Sequence, residues 1–521
     1  MKKLLFLCLV FVLLAGIAGC GQTGGGPADG ALSGPADIPT DERPTLRILM
    51  PFHPFDMNED PTAEIMRELT GYEFIIENLP AENPVPALTA IIAAREEYDI
   101  KHLMAVHFRD TAALGSFQPL NDLLDVHAPN VREVTLDEQW YAVTMGNDIL
   151  AIPVAINETS FVTWSIRARM DMLREVGIDT IPSTLDDFTY ALHQIRDQLD
   201  VIPLSIAPPA LMLQPTLTSP FGVMGEWNIS GSEILHAVET PGMLEYITWM
   251  NYLFVNGLLD DEFATLTATA ANEKFHSGRS AMHALAPWGD PAAINTTMET
   301  FPDAELAFVP PLEHNGVSGR DVNFGMARAI VIPRVARHQD HALNFINLTL
   351  EGDNFQHINI GFEGTHWEFD DNGIRTPIDP IFQDERGNAA QFLLGMPTLL
   401  GRSFWVEVRA RRQMALFDHL IEVTNQAFDM VPISYPVGAF MPPSSEFLDN
   451  IARANDFATE NLLLFVCNVR PLSEWEDFLD EWRRLYGGDI VTSEINSWWA
   501  VSRDSIYPIL SNPVNPAAPF R

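Results

Sequence analysis

The chain of 521 residues is 47% hydrophobic and 10% aromatic, which makes it globular and too long for one small core, so two or more lobes are expected. Its formal charge of −39, from 70 acidic residues against 31 Lys and Arg, leaves no basic stripe to displace counterions and excludes nucleic acid as a partner. Of the three cysteines only Cys467 follows Cys20, so a disulfide framework is excluded and Cys467 reads as a small buried hydrophobe.

At the start of the chain, Lys2 and Lys3 precede the apolar run Leu4 to Leu14, too short for a permanent membrane span but suited to a signal peptide. Leu14-Ala15-Gly16-Ile17-Ala18-Gly19-Cys20 has the bacterial lipobox pattern, in which small residues abut a cysteine that is acylated after cleavage. Residues 1–19 are therefore expected to be a lipoprotein signal peptide, with Cys20 anchoring the protein on the extracellular face of the cell membrane. Residues 20–43, rich in Gly, Pro, Ala, Ser and Asp, cannot bury enough apolar surface to offset their ordering entropy and read as a flexible tether.

Past the tether, Leu46 to Met50 has strand character, and Pro61 to Thr70 places Ile65, Met66 and Leu69 on one helical face before Gly71. Tyr72 to Glu77 predicts a second strand, Ala87 to Arg95 a helix and Tyr98 to Met104 a third strand. This alternation predicts a parallel α/β sheet. Ile149 to Pro153 and Ser160 to Ile166 continue as strands, followed by a helix over Ala168 to Val176. A further helix opens at Ser183 or Thr184, either of which can cap it, with Asp186 and Asp187 in its first turn. Helices dominate later: Leu244 to Val255, His341 to Leu350 and Ser473 to Leu485, each closed by a glycine.

Several phrases carry a resemblance. Gly115-Ser116-Phe117-Gln118-Pro119-Leu120, Ile181-Pro182-Ser183-Thr184-Leu185-Asp186-Asp187-Phe188, Phe275-His276-Ser277-Gly278-Arg279-Ser280 and Gly361-Phe362-Glu363-Gly364-Thr365-His366 occur in this order. They resemble the bacterial extracellular solute-binding proteins of family 1, particularly the long sugar-binding lipoproteins. The segment Arg95-Glu96-Glu97-Tyr98-Asp99 departs from the Gly-Asp-x-Pro-Asp turn common in that family, which puts only the local turn in doubt. The resemblance implies an α/β, two-lobed, periplasmic-binding-protein-like (type II) fold whose hinge-joined lobes close on a ligand. By analogy residues 44–154 and 312–355 form the N-terminal lobe, and 155–311 and 356–521 the C-terminal lobe. It also implies a monomer that delivers a small carbohydrate, an oligosaccharide, to ABC permease subunits, without a cofactor or a metal.

A sugar offers an apolar C–H face and many hydroxyls, so its site needs rings for stacking and paired donors and acceptors. Trp288, Trp227 and Trp405 lie in polar, Gly- or Pro-punctuated stretches and are the ring candidates. His53 and Phe55 follow the first strand, where α/β sheets bind ligands, and Asn157 and Glu158 follow the presumed crossing strand. Trp475 and Trp482, seven apart on one helix, read as core, as do Trp249, Trp498 and Trp499. Arg167 and Arg169 read as surface pairing at a helix start, and Glu363 with His366 as a structural turn. No G-x-S-x-G, H-E-x-x-H or P-loop motif occurs, so no catalytic residue is assigned. A surface-anchored glycoside hydrolase, a sensing lipoprotein without transport and a peptide cargo remain the alternatives.

Overall fold

The computed structural model describes residues 39, 42–112, 114–135, 137–154, 165–208, 215–285, 297–321, 328–371, 373, 375–395, 433–434, 437–441 and 444–511. Cys20 and the tether expected over 20–43 fall almost wholly outside them.

Two main sheets organise the described chain. The first begins with β1 (Leu46–Met50), β2 (Phe74–Asn78), β3 (Ile100–Met104) and β4 (Ile152–Val154). The second holds β5 (Ser165–Arg169), β6 (Ile202–Ser205), β7 (Ser280–Leu285) and β8 (Leu306–Val309), after which β9 (Arg328–Val331) returns to the first. The first sheet runs β2-β1-β3-β9-β4, with β1 parallel to both β2 and β3, and β9 antiparallel to β3 and β4. The second runs β8-β5-β7-β6, with β7 parallel to β6 and β5 antiparallel to both its neighbours. The chain therefore leaves the first sheet after Val154 and comes back at Arg328, which makes the two-lobed α/β architecture expected from the sequence.

Local signals place the connecting helices. Asp60 caps helix Pro61–Thr70 by accepting from the Thr62 amide at 2.8 Å, and Gly71, at φ 64°, stops it with its own N–H on the Arg67 carbonyl. The helix buries Ala63, Ile65 and Met66 against the first core, each large side chain contributing about 1.5–3 kcal/mol. Of the two expected caps on helix Leu185–Gln198, Thr184 takes the role, its Oγ1 accepting from the Asp187 amide at 3.1 Å.

The turn left in doubt by the departure from the family pattern closes helix Pro84–Ala93. The Glu96 amide reaches the Ile91 carbonyl and the Arg95 amide the Ile92 carbonyl, both at 3.1 Å, which is the Schellman pattern. Arg95 sits at φ 55°, the left-handed position that glycine normally fills. Arg95→Gly is therefore expected to stabilise the fold by about 0.5–1 kcal/mol, against the usual sign of a glycine substitution. A urea midpoint that moved down instead would show that the arginine side chain outweighs the backbone strain.

Each sheet has its own core, and the division falls elsewhere than the expected boundaries. Ile358, Ile360, Trp367, Phe382, Phe392, Leu393 and Leu394 are buried with the first sheet, although a switch to the other lobe was expected at 356. The cause is helix Asn354–Ile360, which packs on helix Pro61–Thr70 and keeps the following hairpin Trp367–Phe369 and Arg375–Pro377 on that side. Leu312 is buried in the second core, and the Glu313 amide bonds the Ser183 carbonyl at 2.9 Å, so the return to the first sheet comes later than 312. The second core also takes helices Ser445–Val466 and Trp475–Leu485, with Trp475 and Trp482 buried as expected. Trp499 is buried in a third, smaller cluster, and Trp249 and Trp498 are partly buried against their cores. Cys467 is a free thiol, only half-buried at the edge of the second core.

Arg167 and Arg169 correct the sequence reading. Arg167 lies on the interior strand β5, and Arg169 ends that strand and stands at the start of helix Met170–Glu175 as expected, but both are buried because neighbouring strands flank them on each side. Arg169 pairs with Asp171 at 2.6 Å and lies over the Phe301 ring, and Arg167 lies over Phe308.

Candidate functional site

In the first sheet the strand order reverses direction around β1, with β2 on one side and β3 on the other, and ligands of α/β sheets bind outside the carboxyl ends of strands at such a point. The loop Pro51 to Asp56 leaves β1 there. Its His53 ring contacts Phe55 at 5.6 Å between centroids, and Phe55 contacts Phe392 at 6.4 Å. Both His53 and Phe55 are partly buried, whereas Phe52 beside them is half exposed.

Strand β9 runs antiparallel to β3, which brings its first residue, Arg328, opposite Met104 at the carboxyl end of β3 and opposite Val154 at the end of β4. The Arg328 guanidinium donates to the Gln391 carbonyl at 3.3 Å and to the Gln391 side-chain oxygen. The segment that carries Gln391 and Phe392 is tied to the sheet through Asn388, whose amide donates to Asp60 at 3.0 Å. Two histidines feel the guanidinium. Burial first, and Arg328 second, push the His53 imidazole down to about 4. His102, wholly enclosed on β3, is held well below the usual histidine range by burial, Arg328 and His53. Both imidazoles are therefore neutral at physiological pH, and neither His102 ring nitrogen is hydrogen-bonded among the described residues. A neutral imidazole both donates and accepts. With Arg328 and Gln391 as donors and Phe55 and Phe52 as ring faces, this edge matches the two handles of a sugar.

A second polar row crosses the other sheet. His283 on β7 donates through Nδ1 to the Ser205 carbonyl at 3.1 Å, and the Ser205 hydroxyl donates to Asp260 at 2.9 Å. Asp260 in turn receives the Lys274 ammonium at 2.8 and 2.9 Å, and Lys274 also pairs with Glu262 at 2.6 Å. Ser205, Asp260 and His283 are all but inaccessible, so the row is a structural network with its charges paired.

The sequence candidates fall unevenly in this geometry. His53 and Phe55 come together at the first edge. Trp288, Trp405, Asn157 and Glu158 lie outside the described residues. Trp227 is 6% exposed, with its ring against His236 and Phe447 and close over Gly438, so it packs a core instead of offering an open stacking face. His366 and Glu363 do not pair: the His366 imidazole accepts from the Phe362 amide at 3.0 Å and bonds Glu385 at 2.9 Å, a structural role with a different carboxylate from the one expected. Among the described residues no group of His, Cys, Asp and Glu could hold a metal ion. His102, Arg328 and Gln391 were missed by sequence reasoning. The only sequence signal was the polar pair Lys101-His102 inside an otherwise apolar strand.

No family model matches the chain. Solved structures similar to it include the alginate-binding protein AlgQ2 without calcium, at TM-score 0.67 and 15% identity over 88% of this chain and 99% of that one. FusA of S. pneumoniae, an ABC-transporter substrate-binding protein in complex with kestose, is similar at TM-score 0.66 and 17% identity over 88% of this chain and 100% of its own. An extracellular solute-binding protein from Bifidobacterium longum subsp. infantis is similar at TM-score 0.68 and 16% identity, covering 89% of this chain and 99% of its own. These likenesses define the fold as that of the two-lobed solute-binding proteins. At the sequence level the chain is 32% identical over 258 residues to an uncharacterized protein in the butB 5' region of Niallia circulans, spanning 49% of this chain and 98% of that protein. It is also 19% identical over 534 residues to the lipoprotein LipO of Bacillus subtilis (strain 168), across 94% of this chain and 96% of LipO. The chain belongs to the same family as the Niallia circulans protein. Among the described residues no helix is long and apolar enough to cross a membrane.

Proposed function

We propose that this protein is the lipid-anchored, extracellular capture component of an ABC importer, taking a neutral oligosaccharide between its lobes and delivering it to permease subunits without altering it. The carrying observation is the clustering of His53, Phe55, Arg328 and Gln391 at the edge of the first sheet, where the chain leaves for the second lobe and returns from it. The corresponding edge of the second sheet is where β5 enters at Ser165 beside Leu285, three residues before Trp288. This topology supports Trp288 as the ring contributed by the opposite lobe, with Asn157 and Glu158 in the crossing segment between them. The stretch through Leu394, whose apolar residues are buried with the first sheet, is read as part of the first lobe. Neighbours described with kestose, and with the glycan Man5GlcNAc in NgtS of Streptococcus pneumoniae, support a carbohydrate cargo. LipO supports anchoring at Cys20. Closure is then a population shift between open and closed lobes, driven by contacts made only when both edges touch the guest.

The test is a thermal-shift panel of neutral oligosaccharides, since a guest that binds only the folded state raises the melting point by mass action. At least one oligosaccharide is expected to bind. Phe55→Ala is expected to weaken it about tenfold, as loss of one stacked ring contributes roughly 1–1.5 kcal/mol, and Trp288→Ala to abolish the shift. The recovered sugar should be chemically intact, because hydrolysis products would move the protein to the glycosidase reading. Binding by a peptide library with silence across the sugars would overturn the cargo while leaving capture in place.

A further inference from the structure

The opposite end of the first sheet holds a cavity that the proposed capture site does not use. It has a volume of about 410 Å³ and is bounded by Lys101, Arg95, Arg334, Ser116, Ile92 and Leu114 among others. Lys101 is the second residue of β3, so it lies toward the amino end of that strand, whereas the His53 and Arg328 edge is at its carboxyl end. The β9 strand, running the other way, brings the Pro333 to Val335 segment to the same end.

The charge of this cavity inverts that of the chain. Three cations and one carboxylate, Glu96, line it, in a protein with 31 Lys and Arg against 70 acids. Lys101 is only 2% exposed, yet among the described residues its ammonium makes no hydrogen bond or ion pair, and its neighbour is the Tyr98 ring at 5.7 Å. Glu96, exposed at the rim, attracts it only from a distance. Burial pushes the Lys101 amine down to about 8, the mark of a charge taken out of water without a counterion. The Ser116 hydroxyl is buried with no partner among the described residues. Buried charges and hydroxyls are ordinarily paired, so an ammonium and a hydroxyl left open to one cavity mark the place of an absent partner. Arg334 spends its Nε on the Gly115 carbonyl at 3.1 Å, and its remaining N–H groups stay at the rim.

We propose that this cavity binds a small organic anion, a carboxylate with a short apolar body: the carboxylate meets Lys101 and Ser116, Arg334 and Arg95 close over it, and the chain lies along Ile92 and Leu114. The proposal does not depend on the oligosaccharide reading, because the two sites lie at opposite ends of the sheet.

Calorimetric titration of the full chain in detergent with hexanoate is expected to show saturable binding at one site, and titration with the neutral isostere hexanol none. Lys101→Met, which keeps the apolar stem and removes the charge, is expected to weaken hexanoate at least tenfold. Arg334→Gln, at an exposed position, is expected to weaken it about threefold. Both variants should keep the oligosaccharide response of the parent, which separates loss of this site from loss of capture or of folding. Inorganic phosphate serves as the second arm. If it bound as tightly as hexanoate with the same dependence on Lys101, the apolar body would be struck from the proposal. Absence of saturable hexanoate binding, or binding untouched in both variants, would overturn it.

Discussion

Trp482→Ala is expected to destabilise the second lobe by about 3–5 kcal/mol, the range for removing a large aromatic from a close-packed core. Trp482 is wholly buried on helix Trp475–Leu485, one side of its ring stacked on His236 at 4.9 Å and its indole N–H bonded to the Ala454 carbonyl at 3.1 Å. A Cβ on Gly488 would stand 2.4 Å from the ring, so the next helix is seated directly against it. One side chain thus fixes the spacing of three helices, Ser445–Val466, Trp475–Leu485 and Gly488–Ser511. Truncation leaves a cavity that these helices cannot all collapse into. Trp482→Phe should cost clearly less, since it keeps a ring against His236. A urea midpoint for the alanine variant equal to that of the parent would show that the helices repack freely and that the ring is filler.

The second large effect concerns acid. His283 is buried beside Arg167, and burial first, then that guanidinium, push its imidazole down to about 4, in spite of the opposing bond to the Ser205 carbonyl. In the unfolded chain the same group titrates near about 6.5. The folded state therefore binds fewer protons than the unfolded state between those two values, and its stability falls as pH falls through that window. The contribution is complete above about 6.5. By about pH 5 roughly 2 kcal/mol of it is gone. His283→Asn retains a donor for the Ser205 carbonyl but cannot be protonated in this range. The variant is expected to lose about 2 kcal/mol less than the parent between about pH 7 and about pH 5, read from urea midpoints of the second-lobe transition. Equal losses in the two proteins would mean that His283 protonates in place and that the buried row opens to water. His236, enclosed and shifted in the same direction, adds to the slope in each protein and cancels in the comparison.

Local elements were legible because their signals are local. Strand Leu46–Met50 and helix Pro61–Thr70 have the bounds read from periodicity, Asp60 and Gly71 mark the helix ends, and Thr184 is one of the two caps foreseen. The core reading of Trp475 and Trp482 rested on heptad spacing, which packing respects. Arg167 failed for a definable reason. The sequence around it, with Arg169 and Asp171 close by, looks like a charged helix start, yet strand pairing on both sides enclosed it. Trp227 failed similarly: a polar, glycine-bearing stretch usually runs over a surface, but here a hairpin turns the ring into a small core with Gly438 and Phe447.

The sequence by itself determined what depends on neighbours along the chain: the alternation of strands and helices, their caps, the excess of acidic residues and the order of phrases that resemble those of two-lobed binders. Tertiary structure alone decided what depends on strands meeting from far apart. Only the antiparallel return of β9 puts Arg328 beside Met104 and within the field of His53 and His102, more than two hundred residues away in sequence. Only packing of the helix after Asp353 carried Gln391 and Phe392 to that same edge. The physical reason is register, because a side chain's partners across a sheet are set by how two distant strands align, and no spacing within either strand contains that information.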